Sequence, residues 1–381
     1  MRFHKILILG CGVVGGLVLD LLSRMTEPFE IHVASRRIDA VRLRVNLAIA
    51  VAANLGIEKS IDAHRVDLDN IDETASLLHE IKPEIVVNAA SRQSFWLIST
   101  LPKQAYLDLA EARLGPWLPN HLALSYKLMQ AVRQSGSSIR VVNAAFPDSV
   151  NPVLATAGLA PYVGAGNIAN IIPTLRRGIA RLCGASFQAV EIRLVAHHFV
   201  GNEIATYGNP GGAPYHLQAW IDGEEVTESY RDDALFALFQ GELKRTRGVP
   251  GQVMAASSVA AVVRAIATDS GLLHHAPGPN GLVGGYPLRI GAERIDLALS
   301  DGLGAASAEQ INQGGQRFEG IERIDPSGAV HFTESRMQAL TRTLGYQCRS
   351  MELAEVGDWA DELQAKYRAY VERLGIAATE T

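Results

Sequence analysis

Residues 10–15 read Gly-Cys-Gly-Val-Val-Gly, and the apolar run Lys5-Ile6-Leu7-Ile8-Leu9 leads directly into them. A buried strand, then G-x-G-x-x-G, then a helical stretch over residues 13–22 is the layout that cradles a dinucleotide pyrophosphate. Gly10 allows the tight turn, Gly12 lets the backbone approach an anion, and Gly15 permits close helix packing. Val13 and Val14 open the helix, whose free N–H groups and positive dipole end face the ligand. The next strand, Glu30-Ile31-His32-Val33-Ala34, ends in Ser35-Arg36-Arg37. An NAD site places an acid there to accept from the ribose 2′-OH, whereas two guanidinium groups and a hydroxyl suit a 2′-phosphate. The predicted cofactor is therefore NADP(H) in preference to NAD(H). The plain alternative is that Arg36 and Arg37 are solvated residues opening the next helix.

Further along, Asp67 and Leu68 close a third strand where an adenine would sit, and Asn88, Ala89 and Ala90 close a fourth beside the expected nicotinamide ribose. His197-His198 follows the alternating run 188–195 and offers imidazole, which titrates in the range proton transfer needs. Read as strand residues, the two point to opposite faces, so at most one reaches a cleft. His274-His275 lies in a Gly- and Pro-rich stretch with no strand to aim it. Three residues are candidates for holding a substrate: Asn167 in the second glycine-rich segment, Tyr215 at the end of a long loop of small residues, and Arg317 as a carboxylate partner. A helix cap, a disordered loop and an exposed ion pair are the respective plain readings.

The elements that must position these groups fall into two textures. Up to residue 147, strand-like and helix-like runs alternate, the pattern of an α/β, doubly wound parallel sheet of Rossmann type. Its later strands are expected at 63–66, 84–88, 105–108 and 138–142. Phe146-Pro147-Asp148-Ser149-Val150-Asn151-Pro152 reads as a domain transition. Residues 148–334 show hairpin signals at Asp222-Gly223, Gly291-Ala292 and Pro326-Ser327-Gly328, which predict an α+β substrate or dimerisation domain on a mixed or antiparallel sheet. Residues 335–381 end in a long polar-faced helix expected to return to the first domain or to sit at a subunit contact.

A chain of 381 residues, 48% hydrophobic and 20% charged, fits two globular domains. Its net charge of -5 argues against a nucleic-acid partner. Three widely spaced cysteines, Cys11, Cys183 and Cys348, form neither a disulfide framework nor a metal cluster, which fits a reducing cytoplasm. No apolar run reads as a membrane span, and no metal site is expected.

The glycine turn, Ala34-Ser35-Arg36-Arg37, Asp67, Val86-Val87-Asn88-Ala89-Ala90 and Tyr106-Leu107-Asp108 together resemble the saccharopine dehydrogenase-like oxidoreductases over residues 1–150. The resemblance implies a Rossmann domain joined to an inserted sheet domain, and NAD(P)-dependent reduction of imines or the reverse oxidation of secondary amines. Where many relatives turn into the second domain through Gly-x-x-Pro-Gly, this chain has Phe146-Pro147-Asp148-Ser149. Short-chain dehydrogenase chemistry, which uses a Tyr with Lys four residues on, is excluded because none of the ten tyrosines has that lysine. The expected activity is NADPH-dependent reduction of a C=N bond or carbonyl in a small carboxylated substrate by a cytoplasmic homodimer. The alternative is a non-catalytic or regulatory NADP-binding protein.

Overall fold

A computed structural model describes residues 4–376. The first part of the chain runs β1 (His4–Leu9), α1 (Val13–Ser23), β2 (Phe29–Ser35), α2 (Ile38–Asn54), β3 (Ser60–Arg65), α3 (Ile71–Ile81) and β4 (Ile85–Asn88). It continues through α4 (Lys103–Ala110), α5 (Leu118–Ser135), β5 (Arg140–Asn143), α6 (Pro147–Thr156) and β6 (Val163–Gly164). These strands form one six-stranded sheet in the order β3-β2-β1-β4-β5-β6, every pairing parallel. The order reverses between β1 and β4, which opens a crevice beyond their carboxyl ends.

β1 can be apolar throughout because helices cover both faces of a parallel sheet. Its pleat sends Leu7 and Leu9 into one core with α3, α5 and the C-terminal elements, and Ile6 and Ile8 into another beneath α1 and α2. Residues 105–108, expected as a strand, lie instead inside α4. Ala105 and Leu109, four residues apart, are the buried positions there, so helical periodicity prevails over the local β-like composition. Residues 146–152, expected as a transition, open α6, and the parallel sheet extends past residue 147 to β6.

The remainder comprises α7 (Ile172–Leu182), β7 (Val190–Val195), α8 (His198–Tyr207), β8 (His216–Ile221), β9 (Glu224–Glu225), α9 (Asp232–Ala237) and α10 (Val253–Thr268). Then follow β10 (Leu273–Pro277), β11 (Gly285–Ile290), β12 (Ile295–Leu297), α11 (Ala305–Glu319), β13 (Ile321–Ile324), β14 (Val330–Phe332), α12 (Glu334–Leu344), β15 (Ser350–Met351) and α13 (Val356–Arg373). Instead of one second sheet there are three small antiparallel ones, β7-β8-β9, β10-β11-β12 and β13-β14-β15. A bridge between Ala196 and Gly285 links the first two. His274 and His275 lie in β10, not in a loop. His275 Nε2 accepts from the Leu194 N–H at 3.1 Å, and burial lowers its pKa to about 3, so it joins two sheets as a neutral acceptor.

Residues Pro250–Thr268 have the length and mean hydropathy, 1.3, of a membrane-crossing helix. Within that stretch α10 packs on α1 and buries Val259, Val262, Val263 and Ile266, the work of a core helix. The C-terminal α13 lies on α5, with Tyr367 meeting Trp117 edge-on at 5.8 Å.

Candidate active site

At the glycine turn, Gly10 adopts φ +92°, and a Cβ there would press against the Ala89 and Ala90 backbone at 3.0 Å. A Cβ on Gly15 would stand 1.8 Å from the Gly10 carbonyl oxygen. Gly12 meets nothing within 4 Å and caps α1 without a side-chain hydrogen bond. The first N–H groups of α1 therefore face open space, a cavity of about 490 Å³ walled by Gly12, Val13, Arg44, Val249 and Pro250. Two glycines shape the turn and the third leaves room, which fits a dinucleotide pyrophosphate. Val14 faces the core under α1.

The other cofactor candidates divide by what their side chains touch. Ser35 ends β2, and the exposed Arg36 and Arg37 precede α2, at the edge where a 2′-phosphate would arrive. The Asp67 carboxylate accepts from the Asp69 N–H at 3.1 Å and closes the turn after β3. Leu68 is buried in the core beneath it, so only its backbone faces outward. The Asn88 amide is buried and committed internally: it donates to Ser125 Oγ at 2.9 Å and Asn143 Oδ1 at 3.0 Å, and accepts from the Ala90 N–H. It holds the ends of β4 and β5 together, leaving Ala89 and Ala90 at the crevice. Asn143 passes the chain on to Asn151, which donates to the Gly278 carbonyl.

Beyond β5, Phe146 is held at φ +47°, a conformation that side chains with a Cβ rarely adopt. Its ring is thereby set between His121 and His198, with centroids 6.1 and 6.2 Å away. His197 and His198 are not alternating strand residues, as expected, because the chain turns into a helix at this point. His197 caps α8 through Nδ1, is fully buried, and has its pKa lowered by burial. His198 opens the helix and is 22% exposed. Its N–H donates to Asp148 at 2.9 Å, and its ring Nδ1 meets Glu319 at 2.7 Å. No described hydrogen bond engages Nε2, and His198 helps to line a neighbouring cavity.

Glu319 is 2% exposed and also accepts from the Leu114 N–H at 3.0 Å. Burial opposes its ionisation, but the charge of His198 and its hydrogen bond outweigh that and lower the pKa to about 2. Burial likewise opposes the His198 imidazolium, and Glu319 reverses the balance, raising that pKa. The pair is thus an ion pair with its proton on the histidine. Across Phe146, burial and the His198 charge lower His121 to about 4, so it stays neutral.

Of the three substrate candidates, Asn167 lines the cavity with His198 and donates to Asp148. Tyr215 does not, because its hydroxyl is bound to Asp232 and its ring packs on Phe236. Arg317 is 63% exposed and pairs with Glu322 at 3.3 Å, so it faces solvent. Asp148 and Glu319 are site residues that the sequence reading left out. Asp148 sat in a turn-like segment, and Glu319 lies 121 positions from the histidine it serves, with no local pattern to mark it.

Residues 6–100 match the family model described as the saccharopine dehydrogenase NADP binding domain. The N-terminal part of the chain is thus similar to the saccharopine dehydrogenase NADP binding domain. No curated protein matches the chain in sequence. Among solved structures it is similar to lactate dehydrogenase from Eimeria maxima with NADH and oxamate, at 15% identity, covering 83% of this chain and 91% of that one, with a TM-score of 0.55. Malate dehydrogenase from Aeropyrum pernix matches at 16% identity, covering 82% and 95%, with a TM-score of 0.54. Malate dehydrogenase from Plasmodium falciparum matches at 11% identity, covering 95% and 99%, also with a TM-score of 0.54. These likenesses establish a shared fold. Together with the matched domain they support a nucleotide-dependent oxidoreductase.

Gly12→Ala puts a methyl group into the space the pyrophosphate needs and touches nothing else. It should keep the wild-type melting temperature and lose NADPH affinity, read by nucleotide fluorescence; Gly15→Ala should lower the melting temperature itself.

The ion pair also sets a pH window. Glu319 has a depressed pKa, so its stabilisation is present above the ordinary carboxyl value of 4.5 and is lost as pH falls toward 2. His198 has a raised one, so its stabilisation is present below the ordinary 6.5 and is lost as pH rises through the folded value. In Glu319→Gln the His198 ring should titrate below 6.5, followed by NMR of its carbon-bound protons. An unshifted titration would detach Glu319 from the histidine.

Proposed function

We propose that this protein is an NADP(H)-dependent oxidoreductase that reduces the C=N bond of an imine, or a carbonyl, in a small carboxylated substrate. What carries this reading is a protonated histidine, His198, ion-paired to a buried carboxylate beside a cavity and next to the carboxyl ends of β4 and β5. When bound, the reduced nicotinamide supplies the hydride. The chain's own groups do the rest. Phe146 packs edge-on against the His198 ring, while Asp148 fixes the start of α8. His198 Nε2–H then gives its proton to the nitrogen or oxygen that becomes electron-rich as the adjacent carbon accepts hydride. Glu319 keeps that ring protonated before transfer and oriented after it. The products are an amine or alcohol, and the histidine recovers its proton from solvent.

The NADP-binding description of the matched domain, with Ser35, Arg36 and Arg37 at the end of β2, supports NADPH over NADH. Changing Arg36 to Ala should weaken NADPH binding roughly ten- to a hundredfold, the usual worth of a charge-assisted contact, and leave NADH binding nearly unchanged. Equal losses for both nucleotides would assign Arg36 to the fold.

Deuterium-labelled NADPH incubated with a panel of keto acid and amine pairs tests the activity itself. Stereospecific transfer of the label is expected, and its absence with every pair, in protein that binds NADPH, would favour a regulatory NADP-binding protein. With a substrate in hand, His198→Gln should reduce turnover roughly 10²- to 10⁴-fold while NADPH still binds.

A further inference from the structure

The cavity beside His198 has a volume of about 200 Å³, and its wall includes Arg245 and Arg247. Both belong to the segment that joins α9 to α10. Their described hydrogen-bond partners are all neutral. Arg245 donates to the Asn170 carbonyl at 2.7 Å; Arg247 donates to Asn202 Oδ1 at 3.0 Å and to Thr206 Oγ1. A guanidinium has five N–H donors, so each keeps donors in hand. The carboxylates nearby are committed elsewhere: Glu319 and Asp148 to His198, and Glu203 to Arg113 at 2.8 Å. Arg44, Arg92 and Arg113 each have a carboxylate partner, which this pair lacks among the described residues. Burial and the neighbouring Arg247 charge both lower the Arg245 pKa, the signature of two cations held together without a counter-charge.

We propose that Arg245 and Arg247 form an oxyanion subsite of this cavity, gripping an anionic group of the substrate remote from the carbon that reacts beside His198. Two planar donor forks match a carboxylate or phosphoryl group, and neutralising both cations removes their mutual repulsion. A dianion therefore binds better than a monoanion. This rests on the oxidoreductase reading, and it gives that reading a substrate with a second anionic end.

The same segment continues into Val249 and Pro250, which wall the cavity over Gly12 and Val13. One short stretch of chain thus borders both the cofactor's place and the anion's. An anion that orders residues 245–250 favours the nucleotide, and by linkage the nucleotide favours the anion by the same factor.

The test is calorimetric titration of acetate, succinate, glutarate and inorganic phosphate into the NADPH complex, with succinamide as the uncharged control. Saturable binding of the dianions, at least tenfold tighter than acetate, and none of succinamide is expected. Succinate compared with phosphate tells a carboxylate site from a phosphoryl site. Arg247→Gln, on the exposed side of the pair, should weaken the preferred anion ten- to a hundredfold at an unchanged melting temperature. Arg245→Gln should do the same. Its circular dichroism and melting are checked first, because it also releases the Asn170 carbonyl. Anion binding that is absent, or equal in wild type and both variants, overturns the subsite while the NADPH and label-transfer results stand. Anions that compete with NADPH also overturn it, since the arginines would then serve the cofactor's phosphates. If NADPH itself fails to bind, the oxidoreductase reading falls, and the same titration of the apoprotein decides the subsite.

Discussion

A carboxylate withdrawn from water must find its compensation inside the protein, and the arrangement around Glu319 follows from that requirement. Its oxygens take the His198 ring and the Leu114 N–H, binding the end of α11 to the start of α8 and to the turn before α5. Those contacts join segments 121 and 205 positions apart, so the three can coexist only in one relative placement. A second buried carboxylate, Asp148, fixes the same helix start from the α6 side. Between them they fix His198 in the wall of a cavity. Removing either acid would leave a buried donor or cation unmatched, which costs more than the contact it contributes.

The opposite end of the crevice is governed by steric exclusion. The turn after β1 passes so close to Ala89, and α1 starts so close to the turn, that side chains at positions 10 and 15 have no room. That closeness brings the free N–H groups of α1 next to the ends of β1 and β4, the place where the sheet order reverses. Buried amides tie the neighbouring strand ends: Asn88 to Asn143, Asn143 to Asn151, and Asn151 to the loop after β10. Each amide is satisfied by the next, so this polar chain is rigid, and the crevice floor does not have to be ordered by a ligand.

Between these fixed ends lies Phe146, in a left-handed conformation just before Pro147. Such a backbone is held only by its surroundings. Here α6 begins at Pro147 and buries Asp148, while the aromatic ring separates two histidines whose charges would otherwise repel. One is kept neutral by burial and the other charged by Glu319. Two imidazoles of like chemistry so acquire different protonation within one site.

Local chemistry was enough for the parts of the protein whose physics is local. The β1 run, the glycine spacing and the alternation of elements each depend on neighbours within a few residues, and they marked the parallel sheet and the tight turn after its first strand directly. The hairpins at Asp222-Gly223 and Pro326-Ser327-Gly328 were legible for the same reason. What depended on distant partners was not. Residues 105–108 have strand-like composition but become helix because Ala105 and Leu109 must face one core. His197 and His198 were visible as imidazoles, yet only the start of α8 and the arrival of Glu319 and Asp148 decide which is buried and neutral and which is charged and accessible. The Tyr215 hydroxyl is bound by Asp232, 17 positions on, a pairing that no local pattern marks. Spacing along a chain encodes turns and periodic faces; the pairing of a charge with its counter-charge is decided only once segments far apart in sequence are packed together.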